Sequence, residues 1–339
     1  VERIEQSDST CDVILSDGTS VAGDIVIAAT GLRARSSLAE EAGIVVGRHG
    51  VSVNLFMQTS DPDIYAIGDM VETEHRIAHK PQRLTLRGLA TKQGRLAADH
   101  IFGKATSYRG NVGTFLIKVL NLTAGITGLS IKRLREFGYS PQWVTIHTPD
   151  HAGYYPTTHQ LTLRVAFEQT TGRILGAQAV GRFGVDKRID VLSTALQTNM
   201  SIFDLQHLEL SYTPQYGSAK DPVNVVGSVG SNILIGDVEV VHPEELQDQL
   251  KYWQIVDVRP AVEYEHGHIS AAVNMPLDSL RESMAALDGS RPIAVYSRVG
   301  YHGYLAYRIL KQAGYTVANL DGGYKLIVEG GFKSVLADK

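Results

Sequence analysis

The stretch AVYSRVGYHGYLAYRIL (294–310) contains the residues best placed to do chemistry. An apolar run enters a glycine-bearing turn and leaves as an amphipathic helix, which is how a chain builds an anion-binding loop from backbone N–H groups. Ser297 stands where this loop would place a nucleophile. A thiol has a pKa of about 8.5 that such a loop can lower, whereas a serine hydroxyl ionises several units higher. Since the sequence places no base beside Ser297, the pattern predicts a loop whose residue at the nucleophile position is inactive.

A second candidate site lies at the end of IYAIG (64–68), a stretch predicted to form a short buried strand. Gly68 and Asp69 follow its apolar residues, and ligands of open α/β sheets collect at the carboxyl ends of strands. A helix is predicted over 84–103, with Gly103 as its stop and its positive N-terminal end near whatever Asp69 contacts. Its predicted apolar stripe consists of Leu86, Leu89, Leu96 and Ile101. From the residues alone, Asp69 is either a ligand-binding group or a turn residue.

Composition excludes several classes of protein. The 339 residues are 43% hydrophobic and 20% charged, which is ordinary globular usage and enough for two or three domains. A net charge of −4 with scattered Lys and Arg predicts no nucleic-acid partner and no anionic-membrane surface. No apolar stretch approaches the roughly 20 residues of a membrane span, and no signal pattern is present, so we expect a cytoplasmic protein. Cys11 is the single cysteine, which excludes an internal disulfide and a cysteine-cluster metal site.

Periodicity predicts the order of elements along the chain. The segment 11–31 reads as a strand, a turn at SDG and a second strand that closes on Gly31, and 161–181 reads as a hairpin around TTG. A helix is predicted over 185–200, and a second helix over 201–216 runs into an aromatic loop. The segment SNILIGD (231–237) is the predicted linker, and the strands and helices that alternate after it predict a small parallel sheet. Because no initiator Met is present and residues 1–33 begin inside a domain, we expect the later part of a longer polypeptide.

The string TSDPDIYAIGD (59–69), followed by LATKQGRLAADHI (89–101), resembles the second FAD-domain segment of the pyridine-nucleotide disulfide reductases. The resemblance implies that the Asp of the IGD motif hydrogen-bonds the ribityl chain of the flavin and that the helix start faces the pyrimidine edge. The implied flavin-side residues are Gly68, Asp69, Leu89 and Ala90. No GxGxxG fingerprint follows a strand in this sequence, so the FAD and NADH assignments rest on the family architecture.

Two tyrosine motifs, HAGYYP (151–156) and ELSYTPQYGSAKDPVN (209–224), resemble the branch of that family with the coenzyme A-disulfide reductases and NADH-dependent persulfide reductases. The resemblance implies a homodimer in which tyrosines of both motifs reach the active site of the partner subunit. It assigns this role to Tyr155 and Tyr212, with Tyr154 and Tyr216 as close alternatives. The other interpretation is that these residues pack a dimer surface, where aromatic residues are enriched.

The strings VDVRPAVEYEHGHISAAVNMPL (256–277) and NLDGGYKLIVEGG (319–331) resemble a rhodanese domain. In that family a cysteine persulfide is cradled by loop amides, and the resemblance puts Ser297 at the cysteine position and His302 where Arg is usual. It implies as loop residues Arg298, Val299, Gly300, Tyr301, His302 and Gly303. Since the rest of the loop is intact, the pattern favours an engineered trap over a decayed domain. A hydrolase with His302 as base lacks an orienting acid.

Asp257 and Arg259 are predicted to bond each other or the sheet edge and to serve structure. His266 and His268 lack further ligands, so no metal site is predicted.

Together these resemblances imply an α/β and α+β multidomain chain. The predicted parts are the end of an NADH-binding domain (1–33), the second segment of a Rossmann-like FAD domain (34–108), an α+β dimerisation domain (109–230) and a doubly wound rhodanese domain (237–339). The implied activity is FAD- and NADH-dependent reduction of persulfides, polysulfides or coenzyme A disulfides, with coenzyme A as ligand or part of the substrate. The alternatives are a persulfide-binding module without catalysis and a dimerisation scaffold.

Overall fold

A computed structural model describes residues 1–6 and 10–337. The chain divides into two compact units, Val1–Thr73 with Pro81–Tyr108, and Glu74–Lys80 with Arg109–Lys339. Across the described residues, no helix has the length and apolar character needed to cross a membrane.

The first unit begins with a three-stranded antiparallel sheet. Its strands are β1 (Arg3–Gln6), β2 (Cys11–Ile14) and β3 (Ser20–Gly23). The predicted turn at SDG is confirmed, because Gly18 takes a φ of 83° and its N–H donates to the Leu15 carbonyl. The prediction that the second strand closes on Gly31 is wrong, since β3 ends at Gly23. Ile25 and Ile27 beyond it are 81% and 84% exposed and belong to no described strand.

The rest of this unit surrounds a small core in which Ala39, Val51, Ala66 and Val71 are buried. Its elements are α1 (Ser37–Glu41), β4 (Val51–Ser52), β5 (Val71–His75), β6 (Lys80–Gln82) and α2 (Arg87–Ile101). β4 and β5 pair in parallel, and the chain passes to the second unit within β5. The predicted strand IYAIG is wrong: only Tyr65 makes an isolated bridge, to Gln58, before the 3-10 turn Gly68–Met70.

Helix α2 confirms the predicted helix over a shorter range, and Gly103 follows its end with a φ of 74°. The predicted apolar stripe is only partly right. Leu86, Leu89 and Leu96 are half-buried, whereas Ile101 is 58% exposed and the fully buried residues are Gln93 and Ala97. The Gln93 side chain is accommodated because its Oε1 accepts the Gly68 N–H at 2.8 Å.

The second unit contains a five-stranded antiparallel sheet in the order β7-β8-β11-β10-β9, with β9 at one edge. Its elements are β7 (Phe115–Val119), β8 (Leu122–Gly128), α3 (Ile131–Glu136), β9 (Pro141–Pro149), β10 (Gln160–Glu168), β11 (Ile174–Gly181), α4 (Val185–Gln197), α5 (Ile202–Leu205) and α6 (Pro222–Leu234). The predicted hairpin and the predicted helix α4 are confirmed. The prediction that 201–216 is a helix running into an aromatic loop is confirmed, and the helical part, α5, is a single turn.

Helix α6 extends into the segment predicted to be a linker. The Asp221 carboxylate accepts the Val223 N–H at 3.0 Å, and Pro222 occupies the first helical position. The helix continues through Leu234, so the linker prediction for 231–237 is wrong for its first four residues. Ile233 packs against the core of the antiparallel sheet and against a core of the following domain. Burial on both sides explains why the helix does not stop earlier.

The C-terminal part of this unit is a five-stranded parallel sheet in the order β12-β16-β15-β13-β14, which confirms the predicted doubly wound architecture. Its elements are β12 (Val240–Val241), α7 (Pro243–Asp248), β13 (Gln254–Asp257), α8 (Ala261–Glu265), β14 (Val273–Asn274), α9 (Leu280–Ser283), β15 (Ile293–Tyr296), α10 (Tyr301–Gln312), β16 (Val317–Leu320) and α11 (Gly323–Glu329). Helix α9 is a single turn with a 3-10 turn on either side, Leu277–Ser279 and Met284–Ala286. All four residues of the central strand β15 are buried, and its carboxyl end leads directly to Ser297.

Candidate functional site

Ser297 lies at the carboxyl end of the central strand and is 3% exposed. The Gly300 N–H donates a hydrogen bond to Ser297 Oγ at 3.2 Å. Gly300 has a φ of 98°, a left-handed conformation that favours glycine, and helix α10 begins at the next residue. The side chain at position 297 therefore receives a backbone amide at the positive end of a 12-residue helix.

Two glycines that follow β16, Gly322 and Gly323, bring the backbone into contact with this loop. The Ser297 carbonyl accepts the Tyr324 N–H at 2.9 Å, and the Arg298 carbonyl accepts the Lys325 N–H at 2.9 Å. Gly323 lies directly under these peptides, where a Cβ would be 2.5 Å from the Ser297 carbonyl oxygen and 2.8 Å from the Gly300 nitrogen. Only glycine fits this close approach between two backbones.

Asn319 supports the loop from the end of β16. Its Nδ2 donates to the Gly300 carbonyl at 3.2 Å, and a Cβ at Gly303 would be 2.3 Å from its Oδ1. Gly303 is therefore favoured by this close contact, whereas Gly300 is favoured by its left-handed φ of 98°.

The six predicted loop residues differ in exposure. Gly303 is buried, Val299 and Gly300 are half-buried, and the side chains of Arg298, Tyr301 and His302 are exposed. Across residues 1–6 and 10–337, no hydrogen bond joins His302 to Ser297. No cluster of three or more potential metal-ligating side chains occurs in that part of the chain either. Ser297 thus lacks a base within hydrogen-bond reach in this structure.

Two cavities flank the loop. An open cavity of about 500 Å³ is lined on the Arg298 side by Arg259, Tyr324 and Lys325, among others. A second cavity, of about 360 Å³, lies between the segment Val299–Tyr301 and the side formed by β9 and α6. The loop therefore separates a charged opening from an apolar cavity that faces the antiparallel sheet.

Asp257 and Arg259 bond each other, as predicted. Both carboxylate oxygens accept from the guanidinium, at 2.6–3.0 Å, and both residues are buried. The guanidinium also donates to the Gly267 carbonyl at 2.8 Å and lies 4.0 Å from the centre of the Tyr324 ring. Burial, reinforced by the Asp257 charge, raises the pKa of the neighbouring Tyr296 phenol above its usual range. Arg259 lines the open cavity, and its bonds to Asp257 fix its position there.

The two tyrosine motifs lie against each other. The Ala152 N–H donates to the Pro214 carbonyl at 3.3 Å. A hydrogen bond between the hydroxyls of Tyr212 and Tyr154 raises the pKa of Tyr212 above its usual value of 10.0. The Tyr155 ring instead meets the His151 ring edge-on at 6.1 Å, and Tyr216 is largely exposed. Tyr154 is thus near enough to influence Tyr212, and which residue of each pair serves a site stays a prediction.

A buried arginine, which the sequence patterns did not indicate, connects the second tyrosine motif with the residue just before the first. Arg188 is 1% exposed, and its Nη2 donates to the Asp221 carboxylate and to the Asp150 carbonyl, both at 2.9 Å. Its Nη1 donates to the Gly184 carbonyl at 3.2 Å. A charged residue on the buried face of the amphipathic helix α4 was the available signal in the sequence.

The predicted flavin-side residues come together in the first unit. Gly68 has a φ of 81°, and a Cβ there would lie 3.7 Å from the Ala90 Cβ in the first turn of α2. Asp69 is exposed, and its carboxylate makes no hydrogen bond or ion pair within the described part of the chain. Leu89 is half-buried beside Ala90. The sequence patterns did not indicate Gln93, whose Oε1 accepts the Gly68 N–H.

Three family profiles match the chain in succession. Residues 1–94 match the pyridine nucleotide-disulphide oxidoreductases, and residues 115–220 match the dimerisation domain of the same family. Residues 242–330 match the rhodanese-like domain. The chain joins pyridine nucleotide-disulphide oxidoreductase domains to a rhodanese-like domain.

Curated relatives share the oxidoreductase part of this chain. It is 35% identical over 206 residues to a coenzyme A disulfide reductase of Staphylococcus haemolyticus, which covers 60% of this chain and 46% of that protein. Identity to the Staphylococcus epidermidis RP62A enzyme of the same name is 32% over 218 residues, or 64% of this chain and 49% of that protein. The chain spans about half the length of these curated relatives.

Two solved structures resemble nearly the whole chain. Reduced Bacillus anthracis CoADR-RHD has a TM-score of 0.93 and 38% identity, covering 99% of this chain and 61% of that one. A NAD-dependent persulfide reductase from A. fulgidus has a TM-score of 0.85 and 35% identity, covering 95% of this chain and 59% of that one. The antiparallel sheet followed by a rhodanese-like domain is thus an arrangement with solved counterparts.

Proposed function

We propose that this chain is part of an FAD- and NADH-dependent reductase of persulfides, polysulfides or coenzyme A disulfides. Its rhodanese-like domain is of the kind that delivers sulfane sulfur, but it carries Ser297 at the cysteine position. The observation that carries the proposal is the Gly300 N–H directed at the side chain of position 297. Such an amide stabilises a sulfur anion at the end of β15. The names of the similar proteins, coenzyme A disulfide reductase and NAD-dependent persulfide reductase, support the same substrate class.

The residues of the first unit fit one edge of a flavin site. The free Asp69 carboxylate can accept a hydroxyl hydrogen bond, and the open backbone at Gly68 leaves room beside Ala90 for a bound group. Bound FAD would carry electrons from NADH toward the sulfur substrate. We assign to this chain the binding of that edge by Gly68, Asp69, Leu89 and Ala90.

We assign the proton donor to the tyrosine pair. The Tyr212 phenol, whose ordinary pKa of 10.0 is raised further by the Tyr154 side chain, carries its proton at neutral pH. A protonated phenol can donate to a departing sulfur anion. In a homodimer this pair would face the partner subunit's active site, with Tyr155 and Tyr216 as the alternative donors. Coenzyme A is proposed as the thiol part of the substrate.

Ser297 makes the rhodanese-like site inactive in sulfur transfer. Its hydroxyl accepts the Gly300 N–H and has no base to remove its proton, so it cannot form or hold a persulfide. The intact support of the loop by Gly323 and Asn319 favours a replaced cysteine over a decayed site. The second candidate function, a persulfide-binding module without catalysis, is favoured by the same serine.

The first experiment restores the thiol. Ser297→Cys in the full chain should transfer sulfur from thiosulfate or an organic persulfide to a thiol acceptor. The matched Ser297→Ala variant should show no sulfur transfer. A folded Ser297→Cys protein without sulfur transfer would overturn the proposed role of the loop.

The second experiment tests the reductase assignment. The full-length form that contains this chain is titrated with FAD, and Asp69→Ala should weaken flavin binding at least about tenfold, because a carboxylate hydrogen bond to a hydroxyl is lost. With bound flavin, NADH should bleach the yellow colour, and coenzyme A persulfide, coenzyme A disulfide and polysulfide are then compared as reoxidants. A colourless protein that still binds a persulfide would instead support the binding module.

A further inference from the structure

One buried carboxylate of the rhodanese-like domain accepts a hydrogen bond from edge strand β9. Asp321 is 4% exposed, and its Oδ1 accepts the Thr145 N–H at 2.7 Å. Its Oδ2 lies 3.3 Å from Nδ1 of His242, whose ring stacks on Trp143 with centroids 3.7 Å apart. One side chain therefore contacts a strand of the antiparallel sheet and the start of α7 in the parallel one.

Asp321 is also the residue from which the support of the Ser297 loop begins. Gly322 and Gly323 follow it in left-handed conformations, and the Tyr324 N–H then donates to the Ser297 carbonyl at 2.9 Å. The contact at Gly323 is too close for any side chain, so the two backbones move together. A displacement of Asp321 is thus passed to the loop over only three residues.

We propose that Asp321 is a positioning residue that sets the geometry of the loop at position 297 according to how the rhodanese-like domain is seated on β9. The inference rests on the proposed function only in taking position 297 as the place where sulfur is held. It assigns to the domain contact a regulatory role in sulfur binding. The apolar cavity of about 360 Å³ between β9 and Val299–Tyr301 leaves room for the loop to shift when this contact is lost.

Loss of the contact between Thr145 and Asp321 would leave a buried polar group unpaired. The Thr145 N–H points away from β10, on the side of edge strand β9 that has no neighbouring strand. Asp321 is its acceptor there. An unpaired buried donor and an unpaired buried carboxylate are both unfavourable. Loss of either partner should therefore displace the segment from Asp321 to Tyr324 and leave the sheet that holds β15 intact.

The first test uses the chain as it is, with Ser297. Amide hydrogen exchange over 297–303 should become at least about threefold faster in Asp321→Ala, since protection reports local opening. Asp321→Asn, which keeps an acceptor for the Thr145 N–H, should restore most of the protection. The matched control is Asp237→Ala, which removes the same charge from an exposed position of the same domain and should leave 297–303 unchanged.

The second test places a reporter thiol at the site. In the Ser297→Cys background, the rate of alkylation by iodoacetamide is followed against pH, and Asp321→Ala should raise the apparent pKa of Cys by about one unit, a tenfold loss of thiolate at lower pH. Asp321→Asn should return the profile toward its parent. This readout requires neither sulfur transfer nor reduction, so the inference stands if the profile shifts while sulfur transfer is absent and only the proposed function fails.

An unchanged alkylation profile and unchanged exchange in folded Asp321→Ala would overturn the inference. If that variant fails to fold, Thr145→Pro decides the question, because it removes the same N–H from an edge-strand position that faces away from the ladder. Faster exchange over 297–303 in Thr145→Pro supports the inference, and parental exchange refutes it.

Discussion

The Gly300 amide nitrogen lies 3.2 Å from Ser297 Oγ and donates a hydrogen bond to it. This contact fixes the direction of the side chain at the end of β15, and it depends on the glycine that packs beneath both residues. A Cβ at Gly323 would lie only 2.5 Å from the Ser297 carbonyl oxygen, which is too close to fit. The loop is therefore shaped by backbone packing rather than by the hydroxyl of Ser297.

Gly323→Ala should destabilise the protein more than an alanine at an equally left-handed glycine without neighbours. Gly331 is the matched control, since its φ of 80° is similar to the 62° of Gly323 and no atom lies within 4 Å of its Cβ position. We expect about 1–2 kcal/mol for Gly331→Ala from conformation alone, and about 2 kcal/mol more for Gly323→Ala from overpacking. Urea unfolding measures both, and equal losses would contradict the close contact at Gly323.

Arg188→Ala should lower the free energy of unfolding by about 3–5 kcal/mol, because it leaves the buried Asp221 carboxylate without its partner. Lys187→Ala is the control on the adjacent position of α4. Its Nζ lies 3.6 Å from the same carboxylate but is partly exposed, so we expect less than about 1 kcal/mol. Chemical denaturation distinguishes the two, and a similar small loss for both would show that Asp221 does not depend on Arg188.

Tyr154→Phe should lower the pKa of Tyr212 toward its ordinary value of 10.0. The hydrogen bond to Tyr154 stabilises the protonated phenol, so its loss favours ionisation. The measurement is a pH titration of tyrosinate absorbance, with Tyr154→Phe/Tyr212→Phe subtracted to isolate Tyr212. Tyr216→Phe should leave the Tyr212 midpoint unchanged, and an unchanged midpoint in Tyr154→Phe would contradict the hydrogen bond.

His147 should make the protein sensitive to mild acid. Burial, together with the Lys325 charge, lowers the pKa of His147 from 6.5 to about 4. Between these two values the unfolded chain binds a proton that the folded chain does not, so stability is present above pH 6.5 and is lost as the pH falls toward 4. From pH 7 to pH 5 this loss is about 2 kcal/mol for one such histidine.

The experiment compares urea unfolding at these two pH values in His147→Gln and in the exposed control His302→Gln. His147→Gln should reduce the loss, and His302→Gln should retain it. Burial also lowers the pKa of His75 to about 4, so the loss should shrink by about half rather than vanish. A parental loss in His147→Gln would refute the assignment.

Much of the architecture followed from patterns within a few residues of one another. The hairpin of β10 and β11 was predictable because alternation and a glycine turn are local, and Gly172 does take a left-handed φ of 72°. The same holds for helix α4 and for the loop after β15, where a buried strand meets Gly300. The parallel sheet was predictable because its strands alternate with helices along the chain.

Other features were not predictable, because their causes lie far apart in the sequence. The helix that replaces the first part of the predicted linker is stabilised by two cores that meet at Ile233. Arg188 and Asp221 are 33 residues apart, and Asp321 and Thr145 are 176 residues apart. Neither pair produces a periodic pattern in the sequence, since each contact depends on how distant elements pack in the folded chain.

The sequence by itself determined the β10–β11 hairpin, helix α4, the parallel sheet and the position of Ser297 at the end of a strand, because side-chain periodicity and glycine turns act locally. The tertiary structure alone decided that Tyr154 lies near enough to raise the pKa of Tyr212, that Arg188 connects Asp150 with Asp221, and that Asp321 accepts the Thr145 N–H. These contacts arise when buried polar groups must find partners, and the fold determines which partners are near.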